Sequence, residues 1–427
     1  MKGWSKWMIC VVAVLVLIAV PLFLTTQASA GDLPEKLADA IAQTPQGTEE
    51  GQINPQAEPG YLGIPGAPSV NFIVGLLWAI WVGWIFSTVG AFGGIMAGVG
   101  HITIFGLGDY AKSFGTGKAL NKLVTDSIRV SNQWLVGISA LISSINYYRM
   151  GRLVAPLGMC LAIGGVGGSW LIPDLTAGKI SLKAYIGYFG IIVLLLGIML
   201  LRETTSSGQA KKKKAKEAAD AFEKQKKEGD SKEQGVKVIE GSWALMFVAL
   251  GVVVASALWA NLAGGAKWVA YVLAIIGWGL TFFLGTIRFT FFGVEFKFKA
   301  FIPMLGGIFI AAIASFLGIG GGFLFVPFLT SVAGLPMFLV AGTSALVVLV
   351  GMIVSIFSYM VGKGVLIQWG FIGAELIGIF IGSMIGPRTS KYIPDKWLKI
   401  IFIILAFYVG IRYTTKGFFG QSIVPPF

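Results

Sequence analysis

Long apolar runs separated by short polar stretches dominate the chain, and their lengths predict helices that cross a bilayer. A spanning helix needs roughly 20 apolar residues. Runs of that order begin near Asn71, Thr125, Leu153, Ala184, Trp243, Lys267, Phe301, Val340, Val365 and Trp397. The expected fold class is therefore an all-α polytopic membrane protein with about 8–10 transmembrane helices. Ahead of them, Lys2 and Lys6 precede an apolar run over 8–24 and the small-residue triplet Ala28-Ser29-Ala30. Residues 1–30 read as a signal peptide or signal anchor, and either version exports the segment after Ala30. Residues 31–70, rich in Pro, Gly, Gln and acidic side chains, form an extracytoplasmic segment, extended or loosely ordered, that serves as a spacer or as a partner-docking arm.

The apolar pattern divides the remainder into a first membrane repeat over 71–201, a Lys-rich cytoplasmic linker over 202–240, two extra helices and a loop over 241–299, and a second repeat over 300–427. Lys211 to Lys214 stand in an unbroken row, so the linker reads as a polar helix or a disordered loop. It acts as a solvated, topology-setting charge run or touches anionic headgroups. The short connection carrying Arg288, Lys297 and Lys299 reads as a loop.

Two apolar segments are broken by glycine. The second repeat has Gly318, Gly320, Gly321 and Gly322, then Pro327, Pro336 and Gly342-Thr343-Ser344. A weaker copy has Ser87, Gly90, Gly93 and Gly94 at the spacing of Ser315, Gly318, Gly321 and Gly322, with Ser131-Asn132-Gln133 where Gly342-Thr343-Ser344 lies. Tyr148-x-x-Gly151 matches Tyr359-x-x-Gly362, and Ile172-Pro173-Asp174 matches Ile393-Pro394-Asp395. Irregular backbone at membrane depth is tolerated only where protein covers it or a cavity runs beside it. Paired breaks in two halves point to a transporter built from repeats, with its substrate at their interface. Close helix packing through glycine is the plainer alternative. If each break folds the chain into a re-entrant pair of half-helices, three crossings remain per repeat. The repeats are then inverted, Arg149, Arg152, Arg388 and Lys391 face the cytoplasm, and Lys112, Lys118 and Lys122 lie outside, against the positive-inside rule.

At these residues the chain resembles the TauE/SafE family, the sulfite-exporter or TSUP group of membrane anion transporters. The resemblance is strongest in GIGGGFLFVPFLTSVAG and the AGTS beyond it. It implies a polytopic carrier in the cell inner membrane that moves sulfite, an organosulfonate or a related small anion, outward in the best-known cases. The first repeat departs from the pattern: Phe92 replaces a motif glycine, Val99 stands where Pro327 does, and Ser-Asn-Gln replaces Gly-Thr-Ser.

Composition changes this picture little. Of 427 residues, 56% are hydrophobic and 12% charged, far more apolar surface than a soluble core needs. The net charge of +13 arises from Lys and Arg in loops, and no nucleic-acid motif accompanies it. Cys10 and Cys160 make neither a metal pattern nor a disulfide framework.

Candidate substrate-binding groups are the break glycines Gly90, Gly93, Gly94, Gly318, Gly320, Gly321 and Gly322, with Ser131, Asn132, Gln133, Gly342, Thr343 and Ser344 as uncharged donors. Arg129, one turn before Asn132, is the candidate cation, or else a snorkelling arginine. His101, the only histidine, and Glu375, an intramembrane carboxylate, are candidates for proton coupling or for structural hydrogen bonds. Trp78, Trp81 and Trp84 read as packing, and Asp126 as a helix cap. No catalytic constellation, nucleotide-binding motif, cofactor site or metal site is visible, so an enzyme is not expected. The expectation is a secondary carrier exporting a small sulfur-containing anion, linked to protons or to membrane potential. Uptake of such anions and a non-transporting membrane scaffold are the alternatives, and a homo-oligomer is compatible with the sequence.

Overall fold

The computed structural model describes residues 34–89, 93–115, 117–176, 190–191, 193–195, 197–198, 200–202, 213–227, 235–262, 266–317 and 322–424. Residues 1–30, expected as a signal peptide or signal anchor, the Lys211–Lys214 row up to Lys212, and the glycines Gly90, Gly318, Gly320 and Gly321 lie outside the described residues. The protein is a mostly helical polytopic membrane protein. Five helices among the described residues are long and apolar enough to cross a membrane: Phe72–Val89, Trp243–Asn261, Met337–Val361, Trp369–Ser390 and Lys396–Phe419.

The first repeat begins with α2 (Phe72–Val89), after a short α1 (Glu35–Ala42) in the preceding segment. The chain turns back at the first break into α3 (Gly93–Val99) and a π-helical turn, Gly100–Ile104. Then come α4 (Leu107–Ser113), the long α5 (Ala119–Arg149) and α6 (Ala155–Thr176). The second repeat repeats this order: α10 (Phe301–Leu317), the break, α11 (Gly322–Pro327) with a π-turn Phe328–Val332, α12 (Met337–Phe357) and α13 (Trp369–Ser390), closed by α14 (Asp395–Phe419). Between the repeats lie α7 (Lys213–Lys227), α8 (Trp243–Leu262) and α9 (Lys267–Phe283).

The two repeats exchange partners. The first helix of each packs along the third helix of the other, α2 on α13 and α10 on α6, while α5 packs on α12. Glycine makes the first two contacts close. A side chain at Gly382 would strike the Ile80 carbonyl, one at Gly378 the Leu76 carbonyl, and one at Gly307 the Leu161 carbonyl. Residue pairing gives the directions. Gly75 lies against Phe371 and Gly83 against Ile379, so α2 and α13 are parallel. Arg129 meets Tyr359, Gly137 meets Met352 and Tyr147 meets Gly342, so α5 and α12 are antiparallel. The equivalent helices α5 and α12 therefore run in opposite senses, the inverted arrangement expected from three crossings per repeat.

Two connections expected to lack regular structure are ordered. In place of the expected loop over residues 286–299, β2 (Thr286–Phe291) and β3 (Val294–Lys299) form an antiparallel hairpin, joined on the β2 side by β1 (Lys237–Glu240). Apolar residues alternate along β2, burying Ile287, Phe289 and Phe291, and the turn places Phe292 (φ 48°) and Gly293 (φ 79°) in the left-handed region that two-residue hairpin turns require. Residues 34–70, expected as extended or loosely ordered, are folded onto the bundle. Their few apolar side chains converge, with Leu37, Ile53, Tyr61 and Ile64 fully buried against Leu107, Leu120, Val124 and Phe371. Of the linker's two expected states the helix is found over α7: Ala215, Ala218, Ala219 and Phe222 at helical spacing are buried, with Lys216, Glu217, Asp220 and Lys224 outward. One end of the bundle thus gathers Arg149, Arg152, α7, the sheet, Arg388 and Lys391. The opposite end carries residues 34–70, here termed the cap.

Candidate functional site

Near the cap end, three helices bring polar groups into an apolar interior. Gly100 lets the π-turn approach α2, since a side chain there would collide with the Trp78 indole. Single π-turns inside helices often mark functional sites. This one aims His101, fully buried, between α5 and α13. His101 Nδ1 makes a short hydrogen bond to Asn132 Oδ1, and Nε2 lies 3.0 Å from Glu375 Oε2. Phe371 stands edge-on to the imidazole at 5.7 Å. Asn132 Oδ1 only accepts, so Nδ1 carries a proton. Nε2 then either donates to an ionised Glu375 or accepts from a protonated one. In both forms the pair is neutral and holds one mobile proton. Glu375 Oε1 is buried with no hydrogen-bond partner among the described residues.

From this pair a line of buried hydroxyls runs along α5. Ser127, Ser131, Ser139, Ser143 and Tyr147 recur at four- or eight-residue steps, winding round the helix, and each is fully buried. Tyr61 of the cap shares a hydrogen bond with Ser127 at 3.0 Å and a longer one with Ser131 at 3.5 Å. Ser139 shares one with Ser383 of α13 at 2.7 Å. Tyr147 donates to the Ser87 carbonyl at 2.6 Å and meets Ser390 at 3.1 Å. Ser143 Oγ, Ser144 Oγ and Thr88 Oγ1 are buried without a partner among the described residues. From Ser127 to Tyr147 a helix rises about 30 Å, the depth of a bilayer's hydrocarbon core.

The line ends at Arg152, which is 1% exposed. Its Nε donates to the Phe338 carbonyl at 3.3 Å, and its guanidinium lies over the rings of Tyr147 at 5.0 Å, Phe222 at 5.3 Å and Phe338 at 5.3 Å. Sequence reasoning marks Arg152 only as a topology residue and misses this role. A signal exists: it stands after Tyr148-x-x-Gly151 as Lys363 stands after Tyr359-x-x-Gly362.

The remaining expected residues take other places in the bundle. Gly93 and Gly94 open α3, against Phe86 and Val136 respectively. Ser131 and Asn132 belong to the site above, whereas Gln133 Oε1 is buried without a partner among the described residues. Arg129 is not brought to the pair: it binds Asp126 at 3.1 Å and donates to the Tyr359 hydroxyl at 2.8 Å. Asp126 lies inside α5 and is no cap. Gly322 opens α11. Gly342, Thr343 and Ser344 lie beyond the first turn of α12, which starts at Met337. Thr343 Oγ1 donates to the Leu339 carbonyl at 2.7 Å and accepts from Val154 N–H at 3.1 Å, and Ser344 Oγ donates to the Ala341 carbonyl at 3.1 Å. Gly342 admits the Arg152 carbonyl and Tyr147, since a side chain there would lie 2.6 Å from each. This triplet fits the second repeat onto the corner that carries Arg152.

Residues 229–413 match the family model described as Sulfite exporter TauE/SafE. The curated relative "Sulfite exporter TauE/SafE family protein 5" of Arabidopsis thaliana is 29% identical over 125 residues, 29% of this chain and 28% of that relative. The chain therefore aligns with well under half of the relative's length. No solved structure matches the chain. Residues 229–413, which carry α8 to α13 and most of α14, are thus similar to the sulfite exporter TauE/SafE family.

Proposed function

We propose that this protein is a secondary carrier, not an enzyme, that exports sulfite, an organosulfonate or a related small sulfur-containing anion across the inner membrane by alternating access. The observation that carries the reading is the buried polar line on α5, which joins the His101–Glu375 pair to Arg152 through an otherwise apolar bundle. Polar groups at membrane depth are costly and mark pathways. Guanidinium and hydroxyl donors suit an oxyanion, and inverted repeats supply two related packings around one path. With the basic end in the cytoplasm by the positive-inside rule, the anion enters beside Arg152 and leaves past the His101–Glu375 pair. Membrane potential, negative inside, drives that direction.

The pair favours a second reading, uptake. Taking up a second proton from the cap side makes the pair cationic, and one monoanion then makes the loaded site neutral. Such a site couples anion and proton moving together, inward when the outside is acidic.

The test is flux of labelled sulfite, taurine and isethionate in proteoliposomes under imposed pH gradients and potentials of either sign. Arg152→Leu and Glu375→Gln are compared with the native protein. Flux driven by potential alone and lost in Arg152→Leu supports export. Flux that tracks the proton gradient and loses that dependence in Glu375→Gln supports uptake. No flux of any of the three compounds under any gradient overturns the carrier reading and leaves a membrane scaffold in its place.

A further inference from the structure

Resting on the carrier reading, we propose that the cap is the outer gate of the pathway and that Tyr61 is the residue that closes it. Tyr61 comes from outside both repeats, yet its ring is fully buried and its hydroxyl reaches Ser127 and Ser131, the residue beside Asn132. It thus stands at the cap end of the buried polar line on α5. Burial pushes the Tyr61 phenol above its ordinary value, so the group on the line is a neutral O–H.

The tip is held in place by contacts beyond itself. Leu62 has φ 58° and ψ 15°, a left-handed conformation that costs an L-residue energy, and Gly63 comes next at φ 75°. Leu62 N–H donates to Gln368 Oε1, just before α13, at 3.3 Å, and Lys36 Nζ donates to the Lys363 carbonyl at 3.0 Å. Strain kept by surrounding contacts is relieved when those contacts part, which gives the cap a second, lifted state. The contacts that hold it fall on α5, α13 and the Lys363 corner. Those elements belong to different repeats, and alternating access moves them relative to one another. Closing the repeats around the outer half therefore seats Tyr61, and parting them lifts it.

Two measurements test the gate. In a Cys10→Ser, Cys160→Ser background, the rate at which membrane-impermeant trimethylammonium-ethyl methanethiosulfonate labels Ser131→Cys is read from the cap side, without any substrate. Adding Tyr61→Ala raises the rate by about tenfold if Tyr61 seals the line. An unchanged rate overturns the gate whatever the protein transports. In the second experiment, Leu62→Cys and Gln368→Cys are bridged by a short bis-methanethiosulfonate in the same background, with Tyr61 intact. Bridging lowers flux about tenfold or more and reductant restores it, because the lifted state is removed. Full flux in quantitatively bridged protein also overturns the gate. A labelling response with no flux in any variant leaves the gate standing and overturns the carrier reading alone.

Discussion

A leucine cycle on His101 and Glu375 tests whether the two share a proton in the bundle interior. Glu375→Leu strands only the neutral imidazole Nε2, at a cost of about 1–3 kcal/mol. His101→Leu removes the contact of Glu375 Oε2 while Oε1 already has none, leaving an unpaired carboxyl in an apolar site for about 3–5 kcal/mol. It also strands Asn132 Oδ1 for a further ~1–3 kcal/mol. The double variant strands Asn132 alone, at about 1–3 kcal/mol. The cycle therefore closes with a coupling of about 4–8 kcal/mol. Unfolding of each variant in mixed micelles of a non-ionic detergent and dodecyl sulfate gives the four free energies. An ordinary hydrogen bond between membrane helices couples by only about 0.6 kcal/mol on average. A measured coupling near that value refutes the shared proton, and the site is then a structural hydrogen bond.

Other consequences attach to single residues. Gly382→Ala drives a methyl into the Ile80 carbonyl and separates α2 from α13, costing about 1–3 kcal/mol in the same unfolding assay. Gly373→Ala on α13 meets nothing within 4 Å and is neutral or stabilising by up to about 1 kcal/mol. Arg152→Lys keeps the charge but loses the planar guanidinium over three rings, so it lowers flux less than Arg152→Leu while raising KM for the anion. Because the Tyr61 phenol is raised from its ordinary value of 10.0, its neutral form is the one the fold favours. That contribution is complete below pH 10 and is lost as pH rises further. The cap therefore stays seated at neutral and mildly alkaline pH and loosens above about pH 10, an effect absent in Tyr61→Phe when tyrosinate absorbance and cap-side proteolysis are monitored together.

The inverted repeats were legible because glycine spacing and apolar run length act locally. His101 and Glu375 also stood out singly, since each is rare at membrane depth. Their meeting was not legible: it depends on α2 choosing the third helix of the other repeat, a pairing set by Gly378 and Gly382 against carbonyls far away in sequence. Thr343 and Ser344 misled for a related reason. Their hydroxyls suited a helix N-terminus, but the helix begins earlier, at Met337, and its own carbonyls take them. The hairpin over 286–299 is readable in the alternation of TIRFTF and VEFKFK, a period-two pattern masked by basic residues, which between membrane helices suggest loops. The cap defied composition, since a few well-placed apolar side chains, Leu37, Ala40, Ile53, Tyr61, Ile64 and Ala67, fold it onto an existing surface.

The two repeats share geometry but not chemistry, and this asymmetry bears on how the ends are controlled. By position in the matching π-turns, helices and Tyr-x-x-Gly corners, His101 corresponds to Leu329, Asn132 to Thr343 and Glu375 to Leu161. Leu329 and Leu161 are fully buried, so the mate of the titratable site is apolar. Among these equivalent positions, the titratable pair lies in the cap-side half alone. The corner cations differ as well: Arg152 is buried under Phe222 of α7, while its counterpart Lys363 is exposed, with Nζ 4.2 Å from the Tyr359 ring centre and its carbonyl taken by Lys36. Each corner is thus touched by a segment that belongs to neither repeat, α7 at the basic end and the cap at the other. A carrier built from two equivalent halves needs no such coverings to alternate. If the proposed carrier path runs along this polar line, access on each side depends on a separate element, and changes in α7 alter entry at Arg152 without changing cap-side labelling of Ser131→Cys.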